Sequence, residues 1–310
     1  MRAQIGALRQ RREGKLMERE KTKGMVKKVT GIWYLWVFLL CMVFAGGVNA
    51  EAAALGSEQY LKGTDLTMYY DLTGDGKNDT IVVHTTMENT YYYKNFQVSV
   101  NGKVVLTRKI SGCTGVSARY MSCSKKKNYL QIQAYMDGGY MYLNKIYSWT
   151  GSKLAEAADL GRADNMAATV TRVSKSGITV KFSVQPVETG RIEWKFMYKP
   201  SGKRLKLKSN SAKATSVLGE WPMDDGYGKY FKQNKFVTAS GRTFYTSTNL
   251  KKKAFATKTG DILTLQKIKI IGKKMYLGFK KNGRIGWRRI KSVYSSTGYW
   301  FYGVNNRLAG

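Results

Sequence analysis

Histidine occurs once in these 310 residues, and cysteine and proline three times each. With His84 as the only imidazole, a multi-histidine zinc site is ruled out and any Ser-His-Asp or Cys-His arrangement has a single candidate base. No partner motif surrounds it. A Gly-x-Ser-x-Gly elbow, a Walker phosphate loop and a dinucleotide fingerprint are also missing. Acidic residues are scarce, 20 Asp and Glu against 53 Lys and Arg. Glu156, Asp159, Asp164, Glu188, Glu193 and Glu220 are scattered through a β-rich region, where folding could bring two together. A glycosidase-type carboxylate pair is the one enzymatic chemistry this inventory leaves open. Otherwise the chain reads as non-catalytic.

Only one hydrophobic run is long. Lys27 and Lys28 precede an apolar stretch of 17 residues, Ile32 to Val48, which ends in Val48-Asn49-Ala50, a small-x-small cleavage pattern. The layout is that of a signal peptide over 25–50 with a mature start at Glu51. An uncleaved signal anchor is the alternative, since 17 residues is the short end of a membrane span. Residues 1–24, charged and polar throughout, read as an upstream extension or a cytoplasmic stub. Cys41 is no lipoprotein cysteine, because Phe38-Leu39-Leu40 lacks the small residues of a lipobox. Export would remove Cys41 and leave Cys113 and Cys123 in a disulfide-permissive compartment. These two are either a pair closing a small loop over Thr114 to Ser122 or two free thiols.

Positive charge dominates what remains. Residues 1–50 hold ten of the basic and three of the acidic residues, leaving a formal charge of +26 on the 260 residues from Glu51. Such a field favours polyanions, and clusters such as Lys125-Lys126-Lys127, Lys203 to Lys208 and Lys251-Lys252-Lys253 concentrate it. Outside a cell the available polyanions are anionic cell-wall polymers, peptidoglycan-linked glycans and the headgroups of a membrane surface. Export places nucleic acid behind them.

Thirty-two glycines and 21 tyrosines among Val, Ile and Thr runs predict a mostly β chain. Leu66–Tyr70, Thr80–Thr86, Phe96–Val100, Val104–Thr107, Tyr129–Tyr135, Tyr140–Trp149, Ile178–Val184 and Arg191–Tyr198 read as strands of an antiparallel meander over 57–220. Asn101-Gly102 is a type I′ hairpin signal. A short helical turn is placed only at Ala155 to Ala158. After a Gly-rich boundary at Asp224 to Lys229, five short strands over 230–295 have the spacing of a small closed or nearly closed barrel, followed by a tail, 296–310.

Asp71-Leu72-Thr73-Gly74-Asp75-Gly76-Lys77-Asn78-Asp79 leads directly into the strand Ile81-Val82-Val83. Acids at positions 1, 5 and 9 with glycine at 6 can converge oxygens on a hard cation, so calcium is the expected metal. Asp71, Asp75 and Asp79 would supply carboxylates, Thr73 a hydroxyl and Lys77 a carbonyl. A turn built from Gly and Asp for backbone reasons is the alternative. The arrangement resembles the strand-loop-strand calcium loops of FG-GAP and integrin-like repeats. It departs from them at Thr73, where they favour Asp or Asn, and in having one acidic loop.

Thr243-Phe244-Tyr245, Thr259-Gly260-Asp261 and Lys281-Asn282-Gly283-Arg284-Ile285-Gly286-Trp287 together resemble a bacterial Src-homology-3-like domain of roughly 60 residues. The resemblance implies a non-catalytic module that recognises cell-wall peptides or glycans, with Tyr245, Tyr276 and Trp287 as groove aromatics. Trp287 is alternatively a core residue. The expectation is thus a secreted or surface-anchored, calcium-supported envelope-binding protein. A cell-wall glycoside hydrolase, with its carboxylates in the first domain, is the alternative.

Overall fold

Alternating apolar and polar residues give strands with one buried face. The computed structural model describes residues 54–139, 141–161, 166–186, 188–218, 226–290 and 300–304. The signal segment, residues 1–24, Asp164, Glu220, the first two residues of the expected boundary (Asp224 and Asp225) and most of the tail lie outside them. Among the described residues no helix is long and apolar enough to cross a membrane.

The first sheet holds β1 (Ala54–Leu55), β2 (Gln59–Tyr60), β3 (Asp65–Tyr70), β4 (Asp79–Met87), β5 (Tyr93–Val100), β6 (Lys103–Ser124), β7 (Lys127–Met136), β8 (Met141–Trp149) and β9 (Leu154–Asp159). Strands β3 to β9 form an antiparallel meander in sequence order, and β1 and β2 pair with β6. Strand β6 is long enough to serve two layers. Its first part pairs with β5 and its second with β7, and the change falls at Gly112 (φ +67°) and a register shift between Cys113 and Gly115. The two halves enclose one core, in which Leu66, Ile81, Phe96 and Val98 meet Val116, Leu130, Ile132 and Tyr147. Strand β7 is buried on both faces. On its second face Gln131 donates to Asn144 (2.8 Å), and Asn144 donates to the Ala168 carbonyl (2.9 Å), a relay of side-chain amides that reaches the next sheet.

That second sheet runs β10 (Ala167–Ser174), β11 (Gly177–Val184), β12 (Arg191–Ser201) and β13 (Arg204–Leu207), with β15 (Ala214–Leu218) also on β12. Strand β12 alternates cleanly, with Ile192, Trp194, Phe196 and Tyr198 buried. The third sheet contains β14 (Ser211–Ala212), β16 (Lys235–Val237), β17 (Thr243–Tyr245), β18 (Lys253–Ala256), β19 (Ile262–Ile271), β20 (Lys274–Lys281) and β21 (Arg284–Arg289), and α1 (Gly228–Phe231) precedes β16. Its order is β14-β19-β20-β21-β17-β18, with β16 on β19. A second core joins the back of the first sheet (Met121, Tyr129, Ile146) to Trp194 and on to Phe236, Phe244, Phe279 and Phe301, whose rings meet tilted or edge to face with centres 4.6–5.6 Å apart. The described residues belong to one compact unit.

The chain is mostly β and antiparallel, as its alternation predicts. Three particulars differ. Ala155 to Ala158 is part of strand β9, not a helical turn, because pairing with β8 and burial of Ala157 and Ala158 outweigh alanine's helix preference. The third sheet does not close into a barrel among the described residues. Cys113 and Cys123 are both free and buried. Thr114 to Ser122 is extended strand and not a closed loop, and ten residues of strand separate the two Cα atoms by roughly 30 Å, several times the reach of a disulfide.

Candidate functional site

The acidic loop is organised by its own backbone. Gly74 (φ +82°) and Gly76 (φ +90°) turn the chain back on itself, so that the N–H groups of Gly74 and Asp75 donate to Asp71 Oδ1 (2.7 and 3.1 Å) and that of Gly76 to Oδ2 (2.9 Å). The Lys77 N–H donates to Asp75 Oδ1 at 2.8 Å. Asp79 is 3% exposed and works differently. Its Oδ2 accepts the N–H groups of Leu72 and Thr73, both at 2.8 Å, while its Oδ1 accepts the Asn101 amide at 2.7 Å and the Thr73 hydroxyl at 3.3 Å. Four donors fill the lone-pair directions of that carboxylate. Asp79 therefore buckles the β3–β4 loop to the Asn101-Gly102 hairpin.

The donor set, all oxygen, suits a hard cation, and the glycine positions suit a tight loop. The carboxylates do not converge. Among the described residues no three Asp, Glu, His or Cys side chains gather where they could hold a metal ion. Asp71, Thr73 and Asp75 retain unused lone pairs, whereas Asp79 would have to exchange a hydrogen bond for an ion.

The three aromatics chosen for a groove share one face of the third sheet. Residues directly opposite across neighbouring strands point the same way. Lys253, Tyr245, Trp287, Gly278 and Lys267 form one such row over five strands, and Arg289, Tyr276 and Lys269 form the next. The core side chains Met275, Leu277 and Phe279 occupy the opposite face of β20. Trp287 is half-buried and outside the core. Its indole lies across Gly278, where an added Cβ would come within 3.3 Å of the ring. Tyr245 is also half-buried, and Tyr276, 8% exposed, lies beneath its neighbours. The accessible aromatic surface is therefore Tyr245 and Trp287. Of the flanking bases, Lys253 belongs to a cluster already evident in the sequence, whereas Lys267, Lys269 and Arg289 had no place in that reading. Their signal was Lys267 and Lys269 at a two-residue spacing in a strand, which puts both on one face.

Below this face β17 and β21 are locked together. The Arg288 guanidinium donates to the Thr243 carbonyl at 2.9 Å and lies 4.6 Å from the centre of the Trp300 ring. Burial, with the like charge of Arg242 second, lowers the Arg288 pKa from its usual value. The two motif fragments at Asp261 and Lys281 also meet: Lys281 donates to Asp261 Oδ2, which accepts the Lys258 N–H at 2.7 Å.

Four of the scattered carboxylates lie among the described residues. Glu156 and Asp159 share Lys145 (2.7 and 3.7 Å), and Glu193 meets Lys181 at 3.4 Å and Arg191 at 3.5 Å. Glu188 is buried at 1% exposure. His84 is exposed, with Nδ1 2.6 Å from Asp65. Compared with known proteins, the chain matches no family model, no curated sequence and no solved structure.

Proposed function

We propose that the chain is a non-catalytic, secreted or surface-anchored protein that binds anionic cell-wall polymers, with the aromatic and basic face of the third sheet as its recognition surface. The supporting observation is the pair of rows just described, in which Tyr245 and Trp287 sit between Lys253, Lys267, Lys269 and Arg289. A sugar ring or peptide plane can lie on the indole while the ammonium groups meet phosphate or carboxylate. Neither role needs a general acid or base.

Calcium is proposed as a structural ligand of the 71–79 loop. Asp71, Asp75, the Thr73 hydroxyl and the Lys77 carbonyl would hold it, with Asp79 released from one partner. Bound there, the ion would offset the repulsion of three carboxylates in nine residues.

The test is retention of the full-length chain, in mild detergent, on purified cell-wall material across a salt series. Retention without release of soluble sugar is expected. It should fall steeply with salt to a residual plateau, because exposed charges are screened within about 8 Å at physiological ionic strength while stacking is not. Tyr245→Ala should remove the plateau and leave the salt-sensitive part. Release of sugar, or complete loss of binding at moderate salt with Tyr245→Ala silent, overturns the reading.

A further inference from the structure

Three turns far apart in sequence meet where the first and second sheets adjoin. They are the acidic loop at Leu72-Thr73, the β6–β7 turn at Lys125-Lys126 and the β12–β13 turn at Gly202-Lys203. Between them lies a small open cleft whose wall includes Thr73, Lys126, Lys127, Trp149 and Lys203 and contains no carboxylate. Backbone carbonyls fix the turns in place. Ser148 Oγ donates to the Lys203 carbonyl at 2.6 Å, Asn128 donates to the carbonyls of Asp71 and Lys125, and Tyr120 donates to that of Asp71 at 3.0 Å. The loop also sits close: a Cβ added at Gly74 would lie 3.0 Å from the Lys125 carbonyl oxygen.

Because main-chain atoms do the joining, the lysine side chains are left exposed. None of the three ammonium groups has a carboxylate partner among the described residues. The acids of the loop keep their charge, but Asp71 and Asp79 turn oxygens onto loop N–H groups and neither lines the cleft, so the wall itself carries only lysine charge. Three like charges around one concave wall focus a positive potential that an anion would relieve. Trp149, half-buried with its inner side on the first core, adds an apolar plane at the rim.

We propose that this cleft is a second binding subsite, one that takes a phosphate- or carboxylate-bearing sugar unit of an anionic polysaccharide. The proposal rests on the envelope-polymer reading and gives it a second point of attachment. Lysine suits it as a point charge that meets phosphate and carboxylate alike. So small an opening admits the charged group of a sugar unit laid across it and not a folded partner. A single tryptophan favours a sugar over a single-stranded nucleic acid, which needs aromatic platforms for successive bases. Two attachment points on one polymer would raise retention through effective concentration without any new contact.

The test is calorimetric titration of the full-length chain, in mild detergent at low salt, with four short oligomers: glycerol phosphate, galacturonate, neutral N-acetylglucosamine and oligothymidylate. Both anionic oligomers should bind, which of them binds more tightly identifying phosphate or carboxylate as the preferred group, and the neutral one should not. Lys126→Ala/Lys203→Ala should weaken the anionic oligomers at least tenfold, and Trp149→Leu, checked for an unchanged circular-dichroism spectrum, should weaken them severalfold. Tyr245→Ala should lower wall retention and remove only that part of the oligomer binding which survives Lys126→Ala/Lys203→Ala. Equal affinity in the double-lysine variant, a preference for oligothymidylate, or no oligomer binding while walls are still retained overturns the cleft and leaves the envelope reading standing. Loss of both oligomer and wall binding in the unaltered chain overturns both.

Discussion

Replacing Asp79 tests whether the acidic loop is held by its own hydrogen bonds. In Asp79→Ala the Leu72 N–H, in a residue only 1% exposed, loses its acceptor, and so do the Thr73 N–H and the Asn101 amide. A hydrogen bond to a charged group contributes about 1.5–3 kcal/mol, and a buried donor left unmade costs about 1–3 kcal/mol. The donors share one carboxylate and do not add, so the expected loss is about 3–5 kcal/mol. Asp79→Asn keeps an acceptor for the two N–H groups but turns an amide towards the Asn101 amide, and about 1–2 kcal/mol is expected. Asn101→Gly preserves the left-handed backbone (φ +52°) while deleting the side chain, so it serves as the partner in a double-mutant cycle. Urea unfolding of the full-length chain in mild detergent with EDTA is the assay. The order should be wild type, then Asn, then Ala, with non-zero coupling to Asn101. Repetition in millimolar calcium separates the two roles of the loop: Asp75→Ala should abolish a calcium-dependent rise in Tm without changing stability in EDTA. An Asp79→Ala chain as stable as wild type in EDTA would refute the buckle and leave Asp79 only an ion ligand.

Two further outcomes can be measured. The hydrogen bond from Lys281, then that from the Lys258 backbone, lowers the Asp261 pKa from its usual 3.8. Its stabilisation is therefore complete above that value and is lost as pH falls through the lower folded value, so the stability gap between wild type and Asp261→Asn should close below about pH 4 in acid unfolding. A gap independent of pH would show that the ion pair contributes nothing. Burial pushes the Cys113 and Cys123 thiols up to about 11, so in a Cys41→Ser background neither should react with an aromatic disulfide reagent at pH 8 until denaturant is added, when two equivalents should react. Native reactivity would contradict their burial.

Where one face is buried and the other wet, the strands are readable from sequence. Leu66 and Met68, Ile81 and Val83, and Phe96, Val98 and Val100 all alternate, and the Asn101-Gly102 turn has both residues at positive φ. Legibility fails where tertiary context overrides local preference. Ser111 to Gly115 reads as a glycine loop but is the bend of a continuous strand, so β6 extends to Ser124 instead of ending near Thr107. Alanine-rich β9 and the weakly apolar β10 take their conformation from their partners. At the aromatic face the residue types were visible, but their side-by-side placement depends on a register that joins Tyr245 to Trp287 across the sheet. The lysine clusters at 125–127 and 203–208 were visible too. That Lys126 and Lys203 share one cleft follows only from the stacking of two sheets.

The double duty of β6 also sets an order of events. Ala54–Tyr60, the first strand residues of the unit, pair with Ser117–Ser122, some sixty positions later. Glu58 waits as well: its carboxylate accepts Ser117 and Tyr135 (2.7 and 2.8 Å) and pairs with Arg119 at 2.8 Å. A chain emerging N-terminus first, from a ribosome or across a membrane, has no partner for its leading strands until β6 and most of β7 have followed. Closing so long a loop is an entropic cost met before any contact forms. The leading edge stays open for the first eighty or so residues of emergence, and any aid to folding would act on that interval.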